Sequence, residues 1–484
     1  MKGRFLLPLV LWAAAPARAE VLQLEDALRI AGDRSPTLAE ARRSLEISRR
    51  ELEAQRAALR SRFGLTVTPF EHSRDRTFNP LVSAYTTQEQ SHAGARFSIR
   101  QSIEPTDGTL SLVQAFDWRD ASSSFAGAGS RRTYSNALFL RYSQPLFTHN
   151  RTRLELRRLE LGLENSHLQF VMQELQIESQ VTRRFLDLYY QQRNLAIAVE
   201  ELSNAGESLE IVRAKVEAGI TAREELLQAG LTRANSRAAV ENARLQSEEG
   251  LDEFRILLGL PLEMELRVEA DVRKRLVEVD AKLAERHGLA NRVEIRQRQI
   301  EVQNALDDLT RAGEQNEFKG SLDLSYGLTG TDPALAGLYD SPTRNQEVGI
   351  RFEVPIFDWG EREHRLAAAR ERVEARRLSA AEEERRILKE IRQACRALGN
   401  QAAQIEIAEK SVESARQTYR LNLERYRNGD LPSKDIAFYQ NQLSREQLSE
   451  VRALIDYQLA LLDLKVRALW DFAAGEPVIN LESQ

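Results

Sequence analysis

The chain has 484 residues, of which 42% are hydrophobic and 29% are charged, and its formal net charge is −5. This composition excludes a disordered chain, and the slightly acidic balance gives nucleic-acid binding no electrostatic support. Cys395 is the only cysteine, which excludes an internal disulfide, and the six histidines lack the spacing of a metal site. We therefore predict no metal and no cofactor.

Residues 1–19 have the pattern of a secretory signal peptide. Two basic residues precede an apolar segment at residues 5–15, and residues 17–19 read Ala-Arg-Ala, a typical cleavage site. Glu20 then begins the exported chain; a short N-terminal anchor is the alternative. No later apolar run approaches the roughly 18 residues that a membrane-crossing helix needs. A membrane-spanning form must therefore be a β-barrel, because only helices and closed barrels satisfy the backbone in lipid.

Two proline-aromatic junctions mark an internal repeat. Residues 144–147 (QPLF) and 354–357 (VPIF) lie 210 residues apart, and an apolar heptad seam recurs at the same offset. The N-terminal parts of the two copies match at an offset of 257 residues instead, as do Leu38 and Ile295. The first copy therefore carries about 47 additional residues between its two strands.

Each copy is predicted to contain a helix, two strands, a proline-aromatic junction and a long helical hairpin with a glycine turn. The first copy comprises residues 20–269, with strands at about 62–70 and 135–147 and a hairpin at 149–259. The second comprises residues 270–484, with strands at about 318–328 and 346–357, a hairpin at 361–470 and a C-terminal segment. The pattern of residues 93–118 resembles a further hairpin. The count of four strands per chain does not include it, and whether it forms stays open.

The predicted strands alternate apolar and polar residues, as in Val348, Ile350 and Phe352. Such strands fit a membrane barrel, and they equally fit a soluble sandwich. A membrane barrel needs about eight strands, so four strands per chain require a dimer for eight or a trimer for twelve. The signal peptide and the long helices favour the barrel.

The two helical hairpins are predicted to be unusually long. The first arm, from His149 to Val216, would extend about 100 Å at 1.5 Å per residue. A helix of this length needs its heptad seam to pack against a neighbour. In an exported chain, long hairpins joined to barrel strands favour a tube that crosses the space beneath an outer membrane.

Several motifs together resemble the TolC-type outer-membrane efflux protein family. They are residues 22–28 (LQLEDAL), residues 35–38 (SPTL), both Pro-x-Phe junctions and the duplicated glycine turns. The resemblance extends over nearly the whole exported chain. It implies an α+β membrane protein: a homotrimer whose twelve-stranded transmembrane barrel continues into a coiled-coil tunnel through the periplasm. An equatorial belt would include residues 270–290 and the chain beyond Trp470.

The resemblance implies transport without catalysis. Family members are passive exit ducts of tripartite efflux or type I secretion systems, and an inner-membrane pump drives them through a periplasmic adaptor. The glycine turns of such proteins dock the adaptor. The matching residues here are Gly219, Ile220 and Thr221 in the first turn and Gly429, Asp430 and Leu431 in the second. The alternative is that both glycines only end their helices.

The resemblance also implies a gate at the periplasmic end. The acidic position that closes the tunnel matches Asp435, the aromatic gate residue matches Tyr426, and Glu225 is the equivalent of Asp435 in the first copy. Three Asp435 carboxylates around a trimer axis would attract cations, although a first-turn carboxylate also suits the helix dipole alone. Two positions depart from the family pattern, since Phe438 replaces an acidic residue and Leu431 replaces an arginine.

Aromatic residues stand at both junctions between strand and helix. Phe147, Phe357 and Trp359 are predicted to lie in the aromatic belt at the inner face of the outer membrane. Asp358 or Gly360 is expected to cap the helix that follows.

Other functional classes explain less of the sequence. A periplasmic adaptor (membrane-fusion) protein also joins long hairpins to β structure, but it carries one hairpin within a lipoyl-like domain. A structural coiled-coil envelope protein accounts for the helices and not for the alternating strands. An exported enzyme has no support, because the chain lacks G-x-S-x-G, P-loop and metal-ligand spacings. Drug, metal and protein exporters share this type of duct, so the substrate stays open.

Overall fold

The computed structural model describes residues 20–80, 83–124, 130–270, 272–428 and 430–478. The predicted signal peptide and Gly429 lie outside the described residues. The helices are α1 (Leu24–Arg34), α2 (Pro36–Ala58), α3 (Arg151–Glu217), α4 (Arg223–Leu258), α5 (Ala281–Asn291), α6 (Val293–Gly313), α7 (Glu361–Asn428) and α8 (Ser433–Ala468). The strands are β1 (Glu20–Leu22), β2 (Arg62–Asn79), β3 (Ala84–Ile103), β4 (Gly108–Ser123), β5 (Arg131–Leu146), β6 (Leu266–Val268), β7 (Lys319–Asp332), β8 (Thr343–Glu353), β9 (Trp470–Asp471) and β10 (Glu476–Pro477).

The chain divides into two compact units. The sheet unit comprises the described residues of 44–167 and 298–379, and the helical unit comprises those of 1–43, 168–297 and 380–484. Helices α3 and α7 contribute residues to both units. Of the helices that the structure describes, none combines the length and the apolar character needed to cross a bilayer.

The sheet unit contains one antiparallel sheet in the order β2-β3-β4-β5-β7-β8. The prediction of four strands per chain is therefore wrong, because this sheet has six. The additional pair is β3 and β4, which lie in the longer segment of the first copy and are paired along most of their length. The alternation of Phe97 and Ile99 with polar neighbours already indicated them, but periodicity alone does not show whether a short segment joins the main sheet.

Strand β8 ends earlier than the sequence predicted. Its last paired residue is Glu353, and residues 354–357 are exposed and outside any strand. Pro355 has no N–H group to donate to a ladder, so the pairing ends just before it. Val354 and Ile356 consequently belong to the connection into α7.

The sheet has one predominantly apolar face through all six strands. Register pairs place Leu65 opposite Phe97, Leu112 opposite Leu140, and Leu324 opposite Val348 on that face. The other face carries arginine, aspartate, serine and threonine side chains, among them Thr66, Arg96, Ser111, Arg141 and Asp323. Since strand side chains alternate between faces, the same register that gathers the apolar residues also gathers the polar ones.

The helical unit has two large apolar clusters. One packs around Phe185 and Phe254, whose ring centroids are 6.2 Å apart, and the other around Ile387, Ile391 and Ile405. Strand β1 pairs in parallel with β6, and β9 pairs with β10. These short strands and α5 include parts of residues 270–290 and of the segment beyond Trp470, where the equatorial belt was expected.

The two helical pairs are almost identical in length. Helices α4 and α8 each have 36 residues, and α3 and α7 have 67 and 68 residues. Both pairs begin 210 residues apart, at Arg151 and Glu361 and at Arg223 and Ser433. The residues that end α4 and α8, Gly259 and Leu469, both have left-handed backbones.

Candidate functional site at the hairpin turns

The turns between the paired helices close by the same backbone bond. In the first turn Gly219 has φ +70°, and the Ile220 N–H donates to the Lys215 carbonyl at 2.8 Å. In the second turn the Asp430 N–H donates to the Arg425 carbonyl at 2.9 Å. A bond from residue i to residue i−5 is typical of a helix that ends in a left-handed residue.

Side chains at the two turns face different surroundings. Ile220 is 71% exposed, and Asp430 at the equivalent position is also exposed. Thr221 and Leu431 are both half-buried. Leu431 packs against an apolar cluster shared by the two hairpins. Among the described residues of the two turns, Ile220 is therefore the exposed apolar side chain.

This apolar cluster, which we call the tip cluster, joins the hairpins near their turns. Its buried residues come from all four helices of the two hairpins: Leu209 and Val212 of α3, Ala229 of α4, Tyr426 of α7 and Ile436 of α8. Partly buried side chains surround it, namely Ile211, Val216, Leu226, Tyr419, Leu423 and Leu431. Packing of this kind holds the two hairpins of one chain together at their ends.

Tyr426 links the hairpins at the centre of the tip cluster. It is only 3% exposed, and its hydroxyl lies 2.8 Å from the Ser208 hydroxyl. Lys215 donates to the Tyr426 carbonyl at 2.8 Å, and its ammonium lies 5.0 Å from the centre of the Tyr426 ring. Burial raises the pKa of Tyr426, so the phenol stays neutral at physiological pH.

Glu225 forms a second link between the hairpins. Its carboxylate accepts a hydrogen bond from the Ser433 N–H at 2.9 Å and another from the Ser433 hydroxyl. Ser433 is buried at the first position of α8, where N–H groups have no partner within the helix. A residue of the first hairpin thus caps a helix of the second, a position to which an anionic group is suited.

Asp435 has a different environment from its equivalent Glu225. It lies half-buried in the first turn of α8, and among the described residues its carboxylate makes no hydrogen bond or ion pair. Phe438, one turn further along, is 62% exposed and contacts the Tyr439 ring edge-on at 5.5 Å. Asp435 and Phe438 therefore present a charge and an aromatic ring from adjacent turns of the helix.

The predicted interface aromatics all lie in the sheet unit. Phe147 packs against Phe318 and Phe352, with centroid distances of 5.3 and 6.4 Å. Phe357 and Trp359 form a separate edge-on pair at 4.7 Å, and Trp359 is 87% exposed. Phe318 was not predicted because it lies outside both junction motifs in the sequence. Pairing of the strands is what brings it into contact with Phe147 and Phe352.

Asp358 is the residue that caps α7. Its carboxylate accepts hydrogen bonds from the backbone N–H groups of Gly360 and Arg362, both at 3.0 Å. These bonds lower the pKa of Asp358, with the bond from Arg362 the larger cause. Of the two predicted caps, Asp358 provides the acceptor, and Gly360 provides a positive φ of 82°.

Helix α3 begins at a different set of polar contacts. The Asn150 side chain accepts from the Arg153 N–H at 2.8 Å, and buried Glu314 accepts from the His149 N–H at 3.0 Å. Arg151 pairs with Glu314 at 3.3 Å. The first junction therefore uses an amide cap and the carboxylate of Glu314, the residue that follows α6, whereas the second uses its own aspartate.

Comparison with known proteins identifies the class. The model of the outer membrane efflux protein family matches residues 109–260 and 275–467, which is more than half of the chain. The chain therefore belongs to the outer membrane efflux protein family, and it is a protein of the outer membrane that extends into the periplasm. No curated protein matches its sequence significantly.

Solved structures share the fold. The outer membrane channel CmeC of Campylobacter jejuni has a TM-score of 0.70 and 17% identity, with 94% of this chain and 87% of that chain covered. VceC of Vibrio cholerae has a TM-score of 0.67 and 16% identity, with 92% and 95% covered. The open-state channel MtrE of Neisseria gonorrhoeae has a TM-score of 0.67 and 17% identity, with 92% and 88% covered.

Proposed function

We propose that the chain is the outer-membrane channel of a tripartite efflux or type I secretion system, a passive exit duct without enzymatic activity. Family membership supports the efflux role. The observation that carries the proposal is the amphipathic sheet whose strands lead directly into two long helical hairpins. The main alternative is a periplasmic adaptor. That function does not explain an apolar sheet face of this extent.

The membrane-spanning part of the duct is a barrel built from several copies of the sheet, and the trimer of the family is the proposed assembly. Lipid offers no hydrogen-bond partners to a strand edge, so the outer edges of β2 and β8 require strands from other copies. The hairpins of the copies together form a coiled-coil tunnel. The nearly equal lengths and the common offset of the helical pairs support an internal duplication as the origin of the two hairpins.

The turns of the hairpins are the proposed docking surface for the periplasmic adaptor, through which an inner-membrane transporter is recruited. This surface consists of Gly219, Ile220, Thr221, Gly429, Asp430 and Leu431. The exposure of Ile220 supports it, since an apolar side chain at the tip of a hairpin gains stability when a partner covers it.

The gate is proposed to lie beside these turns. Tyr426 and Glu225 hold the hairpins of one chain together, and the free carboxylate of Asp435 acts on ions at the trimer axis. Phe147, Phe357 and Trp359 are proposed to lie at the inner face of the outer membrane, because aromatic rings favour the boundary between lipid and water.

The test uses the full chain expressed with its signal segment. We expect it in the outer-membrane fraction, extracted by detergent as a trimer, and we expect stepwise conductance after reconstitution into planar bilayers. A monomer that stays stable without detergent or lipid, or a reconstituted protein without conductance, contradicts the proposal.

A further inference from the structure

The additional strands β3 and β4 are full members of the sheet. Strand β3 pairs with β2 from Arg62↔Arg100 to Asn79↔Ala84, and β4 pairs with both β3 and β5. No other strand lies between them and the rest of the sheet in the part of the chain that the structure describes. The segment is therefore inserted within the sheet and is not an appendage on its face.

The turn between β3 and β4 is fixed to the start of α3. Asp107 accepts from the Thr152 N–H at 3.3 Å and from its hydroxyl, and the Asn150 amide donates to the Glu104 carbonyl. Gln144 at the end of β5 donates to the Thr106 carbonyl at 2.6 Å. These contacts attach the turn to the junction where strands become helices, so the inserted pair is anchored at that end as well as along its ladders.

The inserted strands have the same two-sided pattern as the others. Phe97 and Ile99 of β3 lie beside Gln114 and Leu112 of β4 on the apolar face, and Phe116 and Trp118 continue that face. Arg96, Ser98 and Asp117 lie on the polar face. A strand with this alternation suits a barrel wall, because one face meets lipid and the other meets the water-filled interior.

The two outer strands of the sheet present apolar side chains next to open edges. Phe63, Leu65 and Val67 of β2 are exposed, as are Val348 and Ile350 of β8. In an antiparallel sheet of six strands the first and the last run in opposite directions. The edge of β8 in one copy is therefore correctly oriented to pair antiparallel with the edge of β2 in the next.

We propose that each copy contributes six strands to the barrel wall, so that a trimer closes an eighteen-stranded barrel through β8–β2 pairs between neighbouring copies. This inference rests on the proposed channel function and changes the dimensions of its exit. Barrel diameter grows roughly in proportion to strand number, so eighteen strands give an exit about 1.5-fold wider than twelve.

Disulfide cross-linking tests the pairing between copies. In a Cys395→Ala background, Leu65→Cys is combined in turn with Val348→Cys, Ile350→Cys or Phe352→Cys, which sample the register on the same face. We expect at least one combination to give an oxidised ladder that ends at the trimer. The matched control, Leu65→Cys with Phe97→Cys, joins neighbouring strands within one copy and remains a monomer. A ladder that ends at the dimer, or no ladder, overturns the proposal.

Removing the inserted pair tests its effect on the exit. Residues 80–130 are replaced by a short glycine turn, so that β2 is followed directly by β5. In planar bilayers, neutral polymers are added on the side where β7 connects to β8. The largest polymer radius that enters the wild-type barrel should be about 1.5-fold larger than the largest radius that enters the variant. Equal cut-offs overturn the proposal, and if the variant does not fold the cross-linking result decides. Wild-type protein without conductance rejects the channel function itself, whereas a conducting dimer rejects only the eighteen-stranded wall.

Discussion

The two helical hairpins share a backbone plan and differ in the side chains at their turns. Both turns close by the same i to i−5 bond, 210 residues apart. The first exposes Ile220, whereas the second exposes Asp430 and folds Leu431 against the tip cluster. Equal backbones therefore expose an apolar side chain at one turn and an acidic side chain at the other.

The hairpins also differ in how each is secured. Glu225 of the first hairpin caps α8 of the second, while its equivalent Asp435 makes no such bond among the described residues. Gly259 ends α4 and Leu469 ends α8, both with positive φ. The first copy therefore uses this acidic position to cap a helix of the other hairpin, whereas the second copy leaves its carboxylate available for another role. Five predictions test this difference and the contacts that secure each hairpin.

The largest effect is expected at the end of α4. A β-carbon at Gly259 would lie 2.6 Å from the Arg34 carbonyl oxygen, and φ is +70°. Gly259→Ala should destabilise the helical unit by about 3 kcal/mol, since the strained backbone and the close contact add. The matched control is Gly219→Ala, which has the same φ and open space around it and should cost only about 1 kcal/mol. Thermal loss of the helical circular dichroism signal measures the stability of both variants. Equal destabilisation by the two substitutions contradicts the role of the contact with Arg34.

The next effect is expected at the cap of α8. Glu225→Ala leaves the Ser433 N–H without its acceptor and should destabilise the tip by about 2 kcal/mol, with a higher open probability in planar bilayers. Asp435→Ala, at the equivalent position, should leave stability unchanged and weaken block by divalent cations. If block by divalent cations is the same in Asp435→Ala and in the wild type, Asp435 is not part of the gate. If Asp435→Ala is less stable than the wild type, Asp435 stabilises the fold as Glu225 does, and the two positions do not differ in role.

A smaller effect is expected at the first turn. Ile220→Asp makes this turn resemble the second and should weaken adaptor binding by about tenfold, because burying an isoleucine contributes about 1.5 kcal/mol or more. Asp430→Asn is the matched control at the second turn and should change binding less. The adaptor is immobilised on a surface and the detergent-solubilised channel is passed over it. This binding measurement gives the affinities of the Ile220→Asp and Asp430→Asn variants for the adaptor. Equal weakening by the two variants contradicts an apolar contact specific to the first turn.

The hydroxyl of Tyr426 should contribute about 1 kcal/mol, which is typical of one buried hydrogen bond. Tyr426→Phe keeps the packing and removes the bond to Ser208, and Ser208→Ala should have a similar effect. Because burial raises the pKa of Tyr426 in the folded state, the stability contributed by the buried neutral phenol is present below the ordinary tyrosine pKa and is lost as the pH rises through the raised value. A wild-type alkaline transition that persists unchanged in Tyr426→Phe contradicts this assignment.

The smallest effect is expected at the cap of α7. The pKa of Asp358 is lowered in the folded state, so its contribution is present above the ordinary aspartate pKa and is lost as the pH falls through the lowered value. Asp358→Asn keeps an oxygen acceptor and should flatten this acidic part of the stability profile, with little change at neutral pH. A profile identical to that of the wild type between pH 2 and 5 (a range around the usual value of about 3.9) contradicts the role of the charge.

Long-range hydrogen bonds explain which site residues sequence reasoning missed. Ser208 and Tyr426 are 218 residues apart, and Glu225 and Ser433 are 208 apart. Tyr426 and Glu225 were predicted from the repeat and the family pattern, while Ser208, Lys215 and Ser433 have no local motif. A hydroxyl or an ammonium becomes informative only when packing brings its partner within about 3 Å.

The sequence by itself determined the periodic parts of this protein. Heptad spacing, sparse glycine and proline, and an offset of 210 residues define the long helices and their turns, because helix formation depends on local composition and repeating apolar positions. Alternation likewise predicted both strands beside the junctions.

Only the tertiary structure decided that the sheet has six strands and that one hairpin caps the other. A short alternating segment acquires a place in a sheet through pairing with residues far away, and Pro355 ends β8 although the apolar alternation continues past it. Local periodicity states which face of a segment is apolar, whereas the neighbour that covers this face depends on contacts made across the whole chain.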